Sequence, residues 1–223
     1  MSETLTKSDA IVEAAGIMFA RFGYRRTSMD DIAREAGFAK GTLYLYFASK
    51  EALFCALLAR TVTEAERLCD AAQEQGGDLT AQIFGQLDAW FGTWLDHYGL
   101  SGHLSELAAA RMSVGREVVE TADQAYEARL VGLIEAAQEE GRASLASTSL
   151  DARQVVSVLL AAARGAKYSN GVTVTPDAFR TSLKYIAHVI AVKVRQHAIV
   201  DLVATRFLQP PLCVACHPFA RAA

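Results

Sequence analysis

Apolar residues recur along almost the whole chain at the three- and four-residue spacing of helices that bury one face. The first run, from Ile11 to Phe22, places six apolar residues on one such face. Glycines, prolines and capping residues separate the runs, because they begin or end helices. The predicted helices span residues 8–22, 28–36, 40–46, 49–75, 79–98, 103–112, 115–140, 151–167 and 176–207. The pattern predicts an all-α protein of about nine helices.

Several boundaries rest on capping residues. Ser8, Ser28 and Ser49 are placed to cap three of the first four helices, and Thr175 precedes a first-turn proline in the last. The only strand-like signal, at 172–175, is too short to pair alone. The helix predicted at 49–75 would be about 39 Å long, so it can leave one domain and enter another.

Composition places the chain among folded globular proteins. Hydrophobic residues make up 52% of its 223 residues and charged residues 21%, which excludes a disordered or collagen-like chain. The net charge of -3 argues by itself against a nucleic-acid partner. No run approaches the roughly 18 apolar residues of a membrane span, and Glu3, Asp9 and Glu13 interrupt any signal-peptide pattern. We therefore expect a cytoplasmic protein.

The first three predicted helices, with a glycine-containing turn before the third, form either a structural bundle or a helix-turn-helix unit. The surface of the third helix favours the second interpretation. Leu43 and Phe47, one turn apart, are predicted to face the core, which leaves five outward residues: Lys40, Gly41, Thr42, Tyr44 and Tyr46. Hydroxyl and ammonium groups donate to phosphate oxygens, and glycine lets a backbone approach closely. The amides near Lys50 add a further anion site.

Local charge supports this interpretation more than the whole-chain value does. Residues 1–50 contain seven Lys and Arg against six Asp and Glu, whereas the other 173 residues contain 15 against 19. A slightly basic segment thus precedes an acidic one, which is the sign expected of a DNA-binding unit on a larger body.

Residues 14–57 resemble the DNA-binding domain of the tetracycline-repressor (TetR) family. The resemblance is carried by Phe19, Gly23-Tyr24, Thr27-Ser28, Asp31-Ile32-Ala33, Ala36-Gly37, Gly41-Thr42-Leu43-Tyr44-x-Tyr46-Phe47 and Lys50-Glu51-x-Leu53. It implies that the five outward residues meet DNA, and that Thr27 or Ser28 and Lys50 hold flanking phosphates. One departure is Ala39, where many members carry a serine that can cap the recognition helix.

Beyond residue 75 the resemblance is only architectural. It implies a DNA-binding domain at 1–50, a ligand-binding and dimerisation domain at 51–207 joined by the helix at about 50–75, and a loose tail at 208–223. The last two helices would form a homodimer, because they have more apolar surface than a small body needs. The expected interface residues are Val156, Leu160, Ala163, Leu183, Ile186 and Ile190. The alternative is that these stripes face the chain's own core.

The aromatic residues Trp90, Trp94 and Tyr98 recur every four positions, so they share one helix face. That face is either ordinary core or the wall of a ligand pocket, since pockets are mostly apolar with a few polar groups. The polar candidates for the pocket include His103, Arg111, Tyr126 and Tyr168. The expected effector is a small apolar or aromatic molecule.

The tail contains Cys213, Cys216 and His217 in a C-x-x-C-H arrangement, which elsewhere marks covalent haem attachment. Zinc would need two further ligands, and a redox pair would need a helix N-terminus to lower a thiol pKa. Chance occurrence is the preferred interpretation, with thiol sensing or a metal or haem protein as alternatives.

The resemblance therefore implies a ligand-responsive, dimeric regulator, usually a repressor in this family, that is released from a near-palindromic operator by its effector. Two copies of the third helix would enter successive major grooves, about 34 Å apart. No cofactor and no metal are expected. An enzyme is not expected either, because no nucleophile-base pair, phosphate loop or paired-carboxylate motif is present.

Overall fold

The computed structural model describes residues 6–146, 149–169, 172–173 and 175–207. Over these residues the protein is all-α, as predicted. The helices are α1 (Lys7–Phe22), α2 (Met29–Glu35), α3 (Lys40–Tyr46), α4 (Lys50–Gln75), α5 (Leu79–Leu87), α6 (Thr93–Tyr98), α7 (Leu104–Ser113), α8 (Arg116–Glu139), α9 (Ala152–Gly165) and α10 (Pro176–Phe207). A π-helical turn, Asp88–Gly92, joins α5 to α6. The start of the strand-like segment forms β2 (Val172–Thr173), which pairs antiparallel with β1 (Tyr168–Ser169).

Helix starts follow the capping chemistry of the sequence. The side chains of Ser28 and Ser49 each accept a hydrogen bond from the backbone N–H three residues on, as predicted. The first helix differs from the prediction, since its cap is Thr6 rather than Ser8. Thr6 and Asp9 form a reciprocal capping box, which satisfies two backbone N–H groups at once.

The buried apolar residues form two clusters, and α4 runs through both. We call residues 6–50 the head and residues 51–207 the body. In the head, Phe19 and Leu43 are fully buried between α1, α2 and α3. Helix α4 adds Leu53 to this cluster and, four turns later, Cys69 to the body cluster. Burial raises the pKa of the Cys69 thiol to about 12, which fits a packing role.

Four of the six residues expected at a dimer interface lie in the chain's own core instead. Val156, Leu160, Ala163 and Leu183 have at most 2% of their surface exposed in the single chain. A side chain without exposed surface has none to offer a partner, so their assignment to an interface is wrong. The alternative of core packing is correct for them, and Ile186 and Ile190 are partly buried at its edge.

The exposed sides of α9 and α10 carry apolar side chains among charged ones. On α9, Arg153, Gln154 and Arg164 are exposed, and between them lie small or aliphatic exposed residues: Ser157, Val158, Ala161, Ala162 and Gly165. On α10, Tyr185 and Val189 are 68% and 59% exposed. The apolar surface that the sequence indicated is therefore present, on a different side of the same two helices.

Within the described part of the chain, no single helix is long and apolar enough to cross a membrane; α3 and α4, bent by 61°, pass that test only as a pair, by length and composition. The same residues contain no cluster of three His, Cys, Asp or Glu side chains that could hold a metal ion. Cys213, Cys216 and His217 lie outside the described residues.

Candidate nucleic-acid interface and body cavities

Helix α3 presents the outward face that the sequence predicts. Leu43 is fully buried and fixes the helix against α1 and α2. On the opposite side Tyr44 and Tyr46 are 45% and 47% exposed. Lys40 and Gly41 are also exposed, and Thr42 is partly buried. A short helix with these donors has the dimensions and chemistry needed to enter a major groove.

Leu45 belongs to the same surface, although sequence reasoning did not select it. Its side chain is 84% exposed, next to the two tyrosines. The signal was available, because Leu45 lies one helical turn after Gly41. An exposed aliphatic side chain on a DNA-facing helix can contact the methyl group of thymine, which distinguishes A·T from G·C pairs.

Gly41 has no packing reason to be a glycine. A Cβ atom built at this position would meet no atom of the chain within 4 Å. Glycine weakens a helix by up to about 1 kcal/mol relative to alanine. Gly41 therefore leaves the outer surface of α3 open to a close approach to the backbone.

Lys40 and Ala39 begin α3 in an unusual way. The Lys40 ammonium lies 2.8 Å from a carboxylate oxygen of Asp30, and this pairing raises the pKa of Lys40. Both side chains are exposed, so a phosphate can compete with Asp30 for the ammonium. Ala39 occupies the N-cap and makes no side-chain cap bond, as its sequence predicts.

Lys50 serves the fold of the head. Its ammonium donates to the backbone carbonyls of Tyr24 and Thr27, at 3.0 and 3.1 Å, and lies 4.5 Å from the centre of the Tyr24 ring. These contacts join the α1–α2 turn to the start of α4. The ammonium therefore already has partners within the chain, and the phosphate contact expected from sequence stays a prediction.

Thr27 and Ser28 were predicted as alternative phosphate ligands, and the structure separates them. Thr27 is buried and its hydroxyl donates to the Gly23 carbonyl at 2.7 Å, so that hydroxyl cannot reach a phosphate. Ser28 is exposed while it caps α2. Arg25 and Arg26, in the preceding turn, are exposed and form no ion pair with another described residue. These two adjacent arginines are a phosphate-binding candidate that sequence reasoning missed.

Comparison with known proteins identifies the head. Residues 11–57 match the family model described as bacterial regulatory proteins, tetR family. YhgD, an uncharacterized HTH-type transcriptional regulator of Bacillus subtilis, is 37% identical over 71 residues, which cover 32% of this chain and 37% of that protein. The head is a DNA-binding domain of the TetR family. The matched region spans less than half the length of the curated relatives.

Solved structures resemble this chain over most of its length. A transcriptional regulator from Cytophaga hutchinsonii has a TM-score of 0.66 and 22% identity, covering 85% of this chain and 98% of that one. A TetR-family regulator from Agrobacterium tumefaciens has a TM-score of 0.62 and 20% identity, covering 85% and 97%. At this identity the likeness establishes the fold of the body.

Helix α7 connects the TetR-family head to the body. The Glu106 carboxylate accepts a hydrogen bond from the backbone N–H of Arg25 at 2.6 Å. Nearby, the Ser101 hydroxyl donates to the Ala20 carbonyl at 2.6 Å. His103, predicted as a pocket residue, instead lies 3.7 Å from Glu106 at this junction. Its assignment to the pocket is corrected, because it sits where head and body meet.

The aromatic face predicted at 79–98 is divided by the π-helical turn. Trp90 stacks on Tyr126, with ring centroids 4.3 Å apart, inside the body cluster. Trp94 and Tyr98 pack together at 4.4 Å and belong to the head-side cluster. Trp90 and Trp94 nevertheless border one small space together with Arg111, whereas Tyr98 lies apart from it.

Trp94 and Arg111 border a cavity of about 150 Å³, which α6, α7 and Lys167 enclose. Trp90 borders a second, smaller space beside Arg111, while Tyr126 donates its hydroxyl to the Gln86 carbonyl and takes a core position. Tyr98 instead lines an open cleft of about 720 Å³ between α1, α4 and α6. The side chain of Tyr168 lies outside the described part of the structure.

Proposed function

We propose that this chain is a dimeric transcriptional regulator that binds operator DNA through α3 and is released from it by a small molecule bound in the body. The observation that carries the proposal is the exposed face of α3, where Tyr44, Leu45 and Tyr46 flank a glycine that nothing in the chain requires. The relatives and solved structures reported above are all named as transcriptional regulators.

The contacts expected at DNA follow from the chemistry of each side chain. Tyr44 and Tyr46 supply hydroxyl donors, and Leu45 supplies an aliphatic contact for a thymine methyl. Arg25 and Arg26 would take flanking phosphates, in the role that the sequence had given to Lys50. Lys40 would exchange Asp30 for a phosphate oxygen.

Dimerisation is supported by the exposed sides of α9 and α10. Val158, Tyr185 and Val189 are large apolar side chains at the surface of the single chain. Gly165 has open space beside it, so a second helix can approach α9 closely. Two copies joined here would present two α3 helices, and a spacing of about 34 Å would match successive major grooves of a near-palindromic site.

Release by a ligand is supported by the position of α7. One side of this helix borders the 150 Å³ cavity through Ala108 and Arg111, and another side bonds the head through Glu106. A ligand that binds better to one position of α7 shifts the head toward the matching orientation, by as much as its affinities for the two positions differ. Such a regulator would act in the cytoplasm.

Substitutions on α3 test the DNA-binding proposal. Tyr44→Ala and Leu45→Ala should each weaken binding to DNA flanking the protein's own gene by roughly tenfold, about 1.4 kcal/mol, since each removes a contact made only to DNA. Footprinting and titration with the purified protein give the affinities.

Leu100→Ala is the matched control, because Leu100 is an equally exposed leucine of the body. It should leave operator affinity and dimer mass unchanged. If both α3 variants bind the DNA as tightly as the unaltered protein does, α3 is not the recognition helix.

A further inference from the structure

The 150 Å³ cavity of the body contains two cationic side chains that form no ion pair with the described residues. Arg111 enters it from α7, and Lys167 enters it from the turn after α9. Neither side chain forms an ion pair or hydrogen bond with any described residue. Among the described residues both contact aromatic rings: Arg111 lies 5.3 Å from the centre of Trp94, and Lys167 lies 4.9 Å from the centre of Phe91.

Both cations are partly buried, which makes their lack of a partner costly. Burial lowers the pKa of Arg111, and burial together with the charge of Arg111 lowers the pKa of Lys167 to about 8. Buried charges in proteins are normally paired, because desolvation penalises an isolated ion strongly. The two side chains repel each other across a space that an anion can fill.

The nearest carboxylate does not supply the missing charge. Asp123 on α8 accepts hydrogen bonds from Arg164 at 3.4 Å and from the Trp90 indole N–H at 3.3 Å. Asp123 is therefore hydrogen-bonded to Arg164, and its single negative charge also acts on Arg111 and Lys167. The surroundings of the cavity keep an excess of positive charge.

The rest of the cavity wall is largely apolar. Its lining includes Trp94, Leu95, Leu104 and Met112. The volume corresponds to about five water molecules at ~30 Å³ each. The space thus suits a compact molecule with one charged end and an apolar remainder, and it offers few further donors for the oxygens of a phosphate ester.

We propose that this cavity binds a small organic carboxylate, with the carboxylate between Arg111 and Lys167 and the apolar part against Trp94 and Met112. The proposal rests on the proposed function, since it names the chemical class of the effector. It also changes the expectation from sequence, which was a purely apolar or aromatic molecule.

Calorimetric titration of the full-length protein tests the proposal. The probes are butyrate, hexanoate and benzoate, each beside its uncharged amide, and inorganic phosphate. At least one carboxylate should bind, at least tenfold more tightly than its amide and than phosphate. Arg111→Met and Lys167→Met should each weaken that binding at least tenfold, because each removes one of the two cations that hold the anion.

Two further variants separate the cavity from general effects. Arg116→Met removes an exposed arginine of α8 and should leave the affinity unchanged. Ala108→Leu fills the cavity without altering charge and should abolish binding, so it replaces Arg111→Met if that variant fails to fold. Circular dichroism and thermal unfolding verify the fold of each protein.

Several results would overturn the proposal: binding of none of the three carboxylates, equal binding of the amides, equal binding of phosphate, or affinity unaffected by both cavity substitutions. Operator binding by the ligand-free protein is measured in parallel. If the protein binds the operator but no carboxylate, the proposed effector class is wrong and the proposed function as a DNA-binding regulator is unaffected. If the operator is not bound, the proposed function itself fails.

Discussion

Lys50 illustrates how a single side chain can be given a role by its partners rather than by its chemistry. An ammonium at the start of a helix suits a phosphate, and that is the role predicted from sequence. In the folded head the same ammonium donates to two carbonyls of the α1–α2 turn and lies over the Tyr24 ring. The residue is therefore a link between two segments that are 23 or more positions apart.

Replacing Lys50 with Met tests this structural role. The change should lower the free energy of unfolding by about 1–3 kcal/mol, because it leaves two carbonyls without a charged donor. For a chain of this size each kcal/mol corresponds to a fall of roughly 2–4 °C in Tm, which calorimetry measures. Lys7→Met, at an exposed position in α1, is the control and should not change Tm. If Lys50→Met leaves Tm unaltered and weakens operator binding, Lys50 contacts a DNA phosphate, as predicted from sequence.

At the scale of elements, α7 is the helix that contacts both the head and the cavity of the body. Leu107 and Ala110 pack into the head-side cluster, whereas Ala108 and Arg111 border the cavity. Glu106, in its first turn, bonds the backbone of Arg25. Because one helix of ten residues makes all of these contacts, a shift of α7 by a ligand reaches the α1–α2 turn without any intermediate element.

Removing the carboxylate of Glu106 should loosen the head on the body. Glu106→Ala is expected to weaken operator binding by roughly three- to tenfold in the absence of ligand, about 0.7–1.4 kcal/mol, which is the scale of one hydrogen bond. Hydrogen exchange at the Arg25 amide should accelerate in the same protein. Glu120→Ala, at an exposed position of α8, is the control. Slow exchange at Arg25 in the Glu106 variant would contradict this account of the junction.

For the whole molecule, the proposed dimer depends on the exposed sides of α9 and α10. The inward sides of both helices are used by the chain's own core, and the outward sides carry Val158, Tyr185 and Val189 together with small residues. Exposed apolar surface of this kind is typical of a protein interface, because a monomer gains nothing by presenting it to water.

Introducing a charge on this surface should separate the two protomers. Tyr185→Glu or Val189→Asp is expected to yield a monomer of 24.1 kDa by light scattering, since a carboxylate in an apolar interface loses its hydration without gaining a partner. Operator affinity should fall with the loss of the second α3. Leu100→Asp, at another exposed apolar position, should remain dimeric. A dimer that survives both substitutions would place the interface elsewhere.

Local signals predicted much of this architecture. The bounds of α3 and α4, the caps at Ser28 and Ser49, and the outward tyrosines of α3 follow from residues within a few positions of one another. Contacts between distant segments could not be predicted from these local signals. The helical period groups Leu160 with its neighbours on one face, but it does not say whether that face meets the chain's own core or a second chain.

The sequence by itself determined the helices, the family of the head and the surface of its third helix, because capping, glycine placement and helical spacing act over short distances. Only the tertiary structure decided which partner each face meets. It bound Lys50 within the head and turned Leu160 inward, and it placed Trp90 and Tyr98 in different clusters. It also brought Arg111 and Lys167, 56 positions apart, to one cavity in which no described carboxylate forms an ion pair with either, since packing of helices sets such distances and sequence spacing does not.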